Sequence, residues 1–550
     1  MANQQDRNSL PRVFVRDALL IIAMVLMVLI LQIPWSPGQN QLGADSGFFA
    51  YVGRQLLDGE RLYVDIFDTK TPAIYYINSL ALQLFGDTLW SVWIVQCIWV
   101  SIVAFILYTV LRRWVRPFSS GAAVLLFLLT LHYPDYYMSG NLSEFYALLP
   151  QTISIMAIAR YARSRHRGWL ILLGAMTGLA MLFKLTYFGI GLAGIAVLGF
   201  EVVFSARWRD VPRYAGAFLI GLLIPVLVTF IFALSQDILN ELWFSAYTYN
   251  VLYAEHGFSL RSMYGTLRKL FLTPPLSYVS ALTMGGVGLI LSKRISGKGI
   301  RADGHPSNDR EDGAERFFFT TMVIAVGIEW ALVFVSGRFH GHYFITPLPA
   351  MAVVCGLVVD RIPYLVQSFR KGDAAGGMAL GTVLVLSAAW GVEVAVKEIP
   401  SPSQFKATAD QFRSGEVLRS PVVDYVIQHT DPQDPIYIWD DHPEYYFLSH
   451  RSTPARVLYA TQLLLPGIDH DTAFTELLQE LQTDPPVMIL TQVNSGAGVP
   501  YLDADQDELC RAVPATVCPG LLELQVFLRE NYQLTEVVNT WHIYTFIESP

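Results

Sequence analysis

Residues 43–87 read GADSGFFAYVGRQLLDGERLYVDIFDTKTPAIYYINSLALQLFGD, and one run inside them decides the topology of the chain. Pro72–Phe85 is apolar over about 14 residues, contains Asn78, and lies between Lys70 and Asp87. A membrane-spanning helix needs about 20 apolar residues. The length of the run therefore leaves open whether it crosses a membrane.

Outside this stretch the chain is rich in uncharged apolar runs. Of its 550 residues, 53% are hydrophobic and 15% charged, whereas soluble domains carry about 25% charged residues. Eleven runs are candidate spans: 18–35, Trp90–Leu111, Ser119–Leu131, Phe145–Ala159, Gly168–Phe183, Tyr187–Phe204, Tyr214–Ala233, Pro275–Leu291, Phe317–Ser336, Tyr343–Val359 and Met378–Val396. The first is long for a signal peptide and lacks a cleavage site, which predicts an uncleaved span.

The distribution of Lys and Arg settles how Pro72–Phe85 lies. If it does not span, the cytoplasmic loops after it hold 19 basic residues and the opposite loops hold 6. A spanning Pro72–Phe85 would invert that ratio, against the tendency of basic loops to stay inside. We therefore predict an interfacial or re-entrant helix, about 11 transmembrane helices, a cytoplasmic amino terminus and an extracytoplasmic carboxyl terminus. The expected location is the plasma membrane, as a multi-pass protein.

The composition changes near residue 400, which predicts two domains. Residues 1–399 form the transmembrane part, with a first external loop at 36–88, and residues 400–550 form a small non-cytoplasmic domain. In the tail, the apolar segments IYIW and VMIL alternate with helical patterns at Ser420–Gln428, Thr472–Leu481 and Leu521–Glu530, and QLTEVV and WHIYTF close the chain. This alternation predicts an α/β fold. Nothing in the tail sequence argues for chemistry, so docking or acceptor binding is its simplest role.

Four cysteines are too few for a disulfide framework. Cys510 and Cys518, eight residues apart in the tail, can pair if that compartment is oxidising; the sequence does not say whether they do. Acidic residues exceed basic ones by eight, which argues against a nucleic-acid partner.

The first external loop carries the most suggestive polar residues. Asp45 begins a predicted interfacial helix, and Asp65, Asp68 and Lys70 follow in the same loop. Lys70 directly precedes Pro72–Phe85, and an ammonium beside a helix amino terminus suits a phosphate. Two simpler interpretations stay open: Asp45 or Ser46 caps its helix, and Lys70 anchors the chain at the interface.

Three other loops on the same predicted side carry ionisable residues. HYPDYYMSGNLSEFY supplies Glu144, FKLTYFG supplies Lys184, and GRFHGHYFITPLP supplies Arg338, His342 and Tyr343. Acids, bases and aromatic residues on one face of a membrane suggest a site. His340 and His342 lack a third ligand at metal-site spacing, so a zinc site is a weak hypothesis.

Sugar transfer from a lipid-phosphate carrier is a reaction that needs such groups. A carboxylate takes the proton of the acceptor as it attacks the anomeric carbon. Cations, with or without a divalent metal, neutralise the leaving phosphate.

The sequence also resembles a known group. GADSGFFAYVGRQLLDGERLYVDIFDTKTPAIYYI, NLSEFYALLP, Lys184 and GRFHGHYFITPLPA resemble, in order, the motifs of GT-C membrane glycosyltransferases. The nearest branch is the bacterial one related to protein O-mannosyltransferases, aminoarabinose transferase and lipopolysaccharide-core galacturonosyltransferases. The resemblance covers roughly residues 17–360.

The resemblance implies an inverting transfer from a polyprenyl-phosphate sugar on the outer face, to a lipid, glycan or protein acceptor. It makes Asp45 the catalytic base. The expected donor-phosphate contacts are Lys70, Lys184, Arg338 and His342, and the acceptor or supporting residues are Glu144, Asp68 and Tyr343. Many relatives have a second acid directly after the loop aspartate, where this chain has Ser46. A two-carboxylate metal site there is therefore in doubt, and the metal dependence stays open.

Three alternatives use the same topology differently. A transporter or flippase of lipid-linked saccharides tends to have internal repeats and broken spans, and no convincing repeat is present. A polysaccharide polymerase or ligase would use the same donors. A membrane anchor for the tail would need far fewer spans.

Overall fold

The computed structural model describes residues 5–206, 208–255, 259–272, 276–291, 309–335, 337, 340–370, 399–465 and 468–547. Sixteen α-helices precede residue 400 in these ranges: α1 (Gln5–Gln32), α2 (Ala44–Asp58), α3 (Ala73–Phe85), α4 (Leu89–Leu111), α5 (Pro117–Leu131), α6 (Pro134–Tyr137), α7 (Ser143–Ser164), α8 (Gly168–Met181), α9 (Gly189–Phe204), α10 (Val211–Ser235), α11 (Leu239–Trp243), α12 (Tyr249–Glu255), α13 (Leu260–Leu272), α14 (Leu276–Leu291), α15 (Asp309–Val335) and α16 (Leu348–Arg370).

Ten of the eleven predicted spans fall on these helices, although α1 and α15 begin well before the predicted runs and α16 ends well after its run. Met378–Val396 lies outside the described residues. Within the ranges above, four helical stretches are long and apolar enough to cross a membrane, namely Ala18–Trp35, Leu89–Leu111, Trp208–Ser235 and Glu311–Val335. The polytopic helical fold is therefore confirmed, and the count of eleven stays a prediction.

Helix α3 occupies the run whose topology the charge pattern assigned. It has 13 residues, and at 1.5 Å per residue it is about 20 Å long. The hydrocarbon core of a bilayer is about 30 Å thick. Tyr76, Leu80 and Leu84 are exposed on its surface while Ile74 and Tyr75 are buried. Helix α8, which is assigned to a span, has 14 residues and is hardly longer, so the non-spanning orientation of α3 stays a prediction.

Two compact units make up the chain. The helical unit comprises Met1–Ser36, Trp93–Thr229 and Phe258–Asp410, and the mixed unit comprises Pro37–Val92, Phe230–Gly257 and Gln411–Pro550. The domain boundary near residue 400 stays a prediction. What the structure adds is that the first external loop and the tail fold together within the mixed unit.

The mixed unit contains the predicted α/β tail. Strands β1 (Ile436–Trp439), β2 (Met488–Gln492), β3 (Tyr532–Val538) and β4 (Trp541–Phe546) form one sheet in the order β1-β2-β4-β3. β1 and β2 are parallel, with Ile436 opposite Met488, and β4 is antiparallel to both β2 and β3. The helices of the tail are Pro402–Ser414, Pro421–His429, Glu444–Ser449, Ala460–Leu463, His470–Thr483, Gln506–Arg511 and Cys518–Asn531.

The α/β assignment of the tail is confirmed, because both apolar strands and all three predicted helices occur where their patterns placed them. Every residue of β1 is buried, as is expected of a strand covered on both faces. The core beneath the sheet includes Trp439, Phe474, Leu521, Leu524 and Tyr544.

Cys510 and Cys518 form a disulfide, which answers the question that the sequence left open. The bond joins the helices Gln506–Arg511 and Cys518–Asn531. Closing a loop of this length restricts the unfolded chain, which stabilises the folded state by about 2–3 kcal/mol.

We expect Cys510→Ser to lower the free energy of unfolding of the tail by that amount, measured on the full chain by thermal unfolding in detergent. Cys97→Ser, at a buried unpaired thiol, provides the comparison. Under reducing conditions the wild type should lose as much stability as Cys510→Ser does. A reductant-insensitive melting temperature would contradict the prediction.

Candidate functional site

Asp45 lies in the first turn of α2, within the mixed unit. Gly43 is the N-cap residue of this helix, so the alternative that Asp45 or Ser46 is the N-cap is wrong. The Tyr459 hydroxyl, from the tail, donates a hydrogen bond to Asp45 Oδ1 over 2.9 Å. The Asp45 carboxylate is thus oriented by a side chain from the other end of the sequence.

Tyr459 is fixed in its role as a donor. Its ring packs against Phe48, with 5.0 Å between the ring centroids. Burial raises the pKa of the Tyr459 hydroxyl well above its ordinary value, and the nearby Asp45, Asp68 and Glu444 carboxylates raise it further. The hydroxyl therefore keeps its proton at neutral pH and donates a hydrogen bond to Asp45. Nothing in the tail sequence singled out this residue.

Asp68 is buried in the same unit, 3% exposed. Its carboxylate accepts hydrogen bonds from the hydroxyl of Tyr75 and from Nε2 of Gln462, the latter over 3.2 Å. Since Gln462 lies three residues after Tyr459, one short segment of the tail contacts both predicted acids of the first loop. The tail therefore contributes to the surroundings of the site and is more than a separate appendage.

The segment that carries Lys70 is held through its backbone. The Lys70 carbonyl accepts from the Tyr63 hydroxyl over 2.7 Å, and the Thr69 carbonyl accepts from Asn250 Nδ2 over 2.7 Å. Lys70 is half-buried and lies three residues before the first residue of α3. The position beside a helix amino terminus is as predicted, and a role in phosphate binding stays a prediction.

A close approach between α2 and the tail explains Gly47, two residues after Asp45. A Cβ at this position would lie 2.1 Å from Cβ of Glu444 and 2.5 Å from its Cα. Glu444 is buried, and its Oε1 lies 2.7 Å from Nδ1 of His442.

We expect Gly47→Ala to push α2 off the helix Glu444–Ser449 and to reduce both the activity and the melting temperature. Gly496→Ala in the same unit should change neither, because nothing lies within 4 Å of a Cβ there and its φ is not positive.

A second cluster lies in the helical unit and is centred on Glu144. This residue is 2% exposed, and its Oε1 lies 3.3 Å from Nζ of Lys184. Ser143 Oγ donates to Oε2 over 3.1 Å. Burial by itself raises the pKa of Glu144, but the Lys184 ammonium and the nearby His342 outweigh it and lower the pKa to about 2. Glu144 is therefore ionised at neutral pH and paired with a cation.

Lys184 also faces an aromatic ring. Its Nζ lies 3.4 Å from the centroid of the Tyr343 ring, a distance at which the ring quadrupole attracts a cation. His342 is buried, with Nδ1 3.2 Å from Sδ of Met138. A small pocket lined by Lys184, Tyr187 and Tyr343 opens beside the pair. The structure thus brings Glu144, Lys184, His342 and Tyr343 together, while Arg338 lies outside the described residues.

No metal ligands are assigned. Among the residues described, no group of three or more His, Cys, Asp or Glu side chains is arranged to hold a metal ion. The chemistry available from the described side chains is that of a carboxylate oriented by a tyrosine in one unit, and of a buried carboxylate–ammonium pair beside an aromatic pocket in the other.

The polytopic helical fold with an α/β tail places the chain among multi-pass membrane proteins, with carboxylates and cations at its helix ends. Residues 69–232 match the family described as dolichyl-phosphate-mannose-protein mannosyltransferase. This match contains Lys70, Glu144 and Lys184 and begins after Asp45. Over these residues the chain is similar to that family of membrane glycosyltransferases.

The fold is similar to that of ArnT from Cupriavidus metallidurans. The structure of that protein bound to undecaprenyl phosphate has a TM-score of 0.53 and 14% identity, over 97% of this chain and 98% of that one. Its apo structure has a TM-score of 0.54 and 15% identity, over 96% and 98%. Comparison with curated proteins gives no sequence match.

Proposed function

We propose that the protein transfers a sugar from a polyprenyl-phosphate carrier to an acceptor on the non-cytoplasmic face, with inversion at the anomeric carbon. The observation that carries this proposal is the Asp45 carboxylate held by the protonated Tyr459 hydroxyl. A carboxylate kept in one orientation by a donor that cannot ionise at neutral pH suits a general base. The undecaprenyl phosphate bound to the structurally similar ArnT supports a polyprenyl-phosphate donor.

In the proposed reaction Asp45 accepts the proton of the acceptor hydroxyl while its oxygen forms a bond to the anomeric carbon. The bond between that carbon and the phosphate oxygen breaks, and the phosphate leaves with the bonding electrons. Lys70 and Lys184, together with Arg338 and His342, are the proposed contacts of the leaving phosphate. Cations placed where charge develops lower the barrier of such a step. Asp68 and Tyr343 are supporting residues, and Glu144 holds Lys184 in place.

The outer face is proposed on two grounds. Basic residues predominate 19 to 6 in the loops assigned to the cytoplasm. The tail contains the Cys510–Cys518 disulfide, and disulfides persist in oxidising compartments. Both support a cytoplasmic amino terminus and an extracytoplasmic tail.

The function is tested with the purified protein in liposomes. Radiolabelled polyprenyl-phosphate donors carrying mannose, galacturonic acid or aminoarabinose are offered together with an envelope extract from the host. We expect one donor to yield labelled product and free polyprenyl phosphate, and NMR of the product to show the inverted anomer. Movement of an intact donor between leaflets without release of the sugar would instead identify a flippase and overturn the proposal.

Tyr459→Phe tests how the base is held. The change removes a hydrogen bond to a charged group, a contact of about 1.5–3 kcal/mol in other proteins, and leaves the ring packed on Phe48. We expect a fall of about tenfold or more in kcat, with the KM for the donor unchanged. Tyr247→Phe, at a half-exposed tyrosine of the same unit, should retain full activity. Equal rates for the two variants would rule out a positioning role for Tyr459.

A further inference from the structure

A pocket in the mixed unit has no role in the chemistry described so far. Its cavity volume is about 190 Å³. The first loop contributes Phe67, residues 230–257 contribute Phe244 and Tyr249, and the tail contributes the rest of the wall between Arg456 and Glu480. A concave site with apolar walls and a few polar groups is typical of ligand sites.

The pocket adjoins the residues that surround Asp45. Gln462, which lines it, donates to Asp68 over 3.2 Å. Tyr459, three residues earlier in the same segment, donates to Asp45. A ligand held in this pocket would therefore touch the segment that orients the proposed base.

Two buried polar atoms of the lining have no hydrogen-bond partner in the described part of the chain. They are Nε of Arg456, which is a donor, and Oε1 of Gln462, which is an acceptor. A hydroxyl both donates and accepts hydrogen bonds, so hydroxyl groups can satisfy both atoms. An alkyl chain would leave both unsatisfied, which is unfavourable at buried positions.

The charge of the lining opposes anions. Asp469, Glu476 and Glu480 line the pocket together with a single described cation, Arg456. That cation already lies 3.8 Å from a Glu476 carboxylate oxygen. The lining therefore has two more carboxylates than cations. This excess negative charge would repel a phosphate and would not repel a neutral group.

The aromatic side of the pocket offers flat apolar faces. Phe67 lies edge-on to Tyr249, with 5.4 Å between the ring centroids, and 6.4 Å from Phe244. The Phe244 ring is 44% exposed, so one of its faces is available. Such rings pack against apolar C–H surfaces while their neighbours bind polar groups.

We propose that this pocket binds the acceptor through an uncharged carbohydrate portion. Nε of Arg456 and Oε1 of Gln462 form hydrogen bonds with its hydroxyl groups. The aromatic rings pack on its C–H faces, and the carboxylates repel phosphate. The proposal rests on the proposed transferase function, because it names the acceptor class of that reaction.

The test is photo-crosslinking in the host, with p-benzoylphenylalanine placed at Phe244 in an Asp45→Asn background so that bound acceptor is not turned over. The matched control carries the same probe at Trp243, the neighbouring residue, which is 63% exposed and is not part of the pocket lining. Mass spectrometry of the adducts is expected to show a carbohydrate adduct at 244 and none at 243. A peptide adduct, a sugar-free phospholipid adduct, or no adduct at 244 above the level at 243 overturns the proposal.

A kinetic measurement complements the crosslink. In membranes of the host with labelled donor, Phe244→Ala should raise the acceptor concentration needed for half-maximal transfer at least fivefold, and Trp243→Ala should not. Hydrolysis of the donor by water should be equal in both variants. If the wild type transfers no sugar, the proposed function fails while the crosslink still reports on the pocket. If the wild type transfers sugar but Phe244→Ala and Trp243→Ala need the same acceptor concentration, the carbohydrate pocket is overturned and the proposed function stands.

Discussion

Asp45→Asn is expected to lower the rate of sugar transfer by a factor of about 10²–10⁴, the usual contribution of a general base. Asparagine has nearly the same shape, and its carbonyl oxygen can still accept the hydrogen bond from Tyr459. The amide cannot take up the proton of the acceptor. The variant should therefore fold, bind donor and fail only in the chemical step.

The measurement is the transfer of label from a polyprenyl-phosphate sugar in proteoliposomes, with donor binding measured separately. Asp58→Asn is the matched control, since Asp58 is the exposed last residue of the same helix. Its transfer rate should equal that of the wild type. Transfer by Asp45→Asn at the wild-type rate would remove Asp45 from the role of base, and weaker donor binding with unchanged kcat would assign it to binding.

Sequence patterns were sufficient for the secondary structure because long apolar runs and short apolar segments report burial directly. Ten apolar runs and the strands of the tail occur where those patterns placed them. The non-spanning orientation of α3 rests on the distribution of charge rather than on hydropathy, and it stays a prediction. Local physics dominates in these elements, so a single sequence contains the necessary information.

The contacts of Asp45 could not be predicted in the same way. Tyr459 is 414 positions away from Asp45 in the sequence, and no periodic pattern connects a loop near the amino terminus with a turn in the tail. Pairings of this kind arise from tertiary packing, as does the contact of Gly47 with Glu444. The sequence indicated which loop carries the acids, and it assigned the tail no part in their surroundings.

Lys184→Met is expected to have the second large effect, because it leaves Glu144 buried without its cation. Breaking a buried ion pair by removing one partner costs about 3–5 kcal/mol.

The effect should depend on pH. In the wild type the pKa of Glu144 is lowered from 4.5 to about 2. The pair therefore contributes stability that is full above about pH 4.5 and is lost as the pH falls towards 2. Without the ammonium, burial opposes ionisation of Glu144, so the deficit of the variant should be smaller at pH 5 than at pH 7. Arg165→Met, which breaks the half-exposed pair with Glu201, should cost under about 1 kcal/mol.

The double variant Lys184→Met/Glu144→Gln separates the structural role of Lys184 from its proposed role in donor binding. Neutralising both partners removes the unpaired buried charge, so the double variant should regain most of the melting temperature that Lys184→Met loses. If the ammonium also binds the leaving phosphate, transfer should stay at least a hundredfold below wild type despite the recovered fold. Recovery of both stability and transfer would show that Lys184 serves only to neutralise Glu144. Recovery of neither would mean that the glutamine cannot replace the carboxylate in accepting from Ser143, and the single variant Glu144→Gln measures that contribution alone.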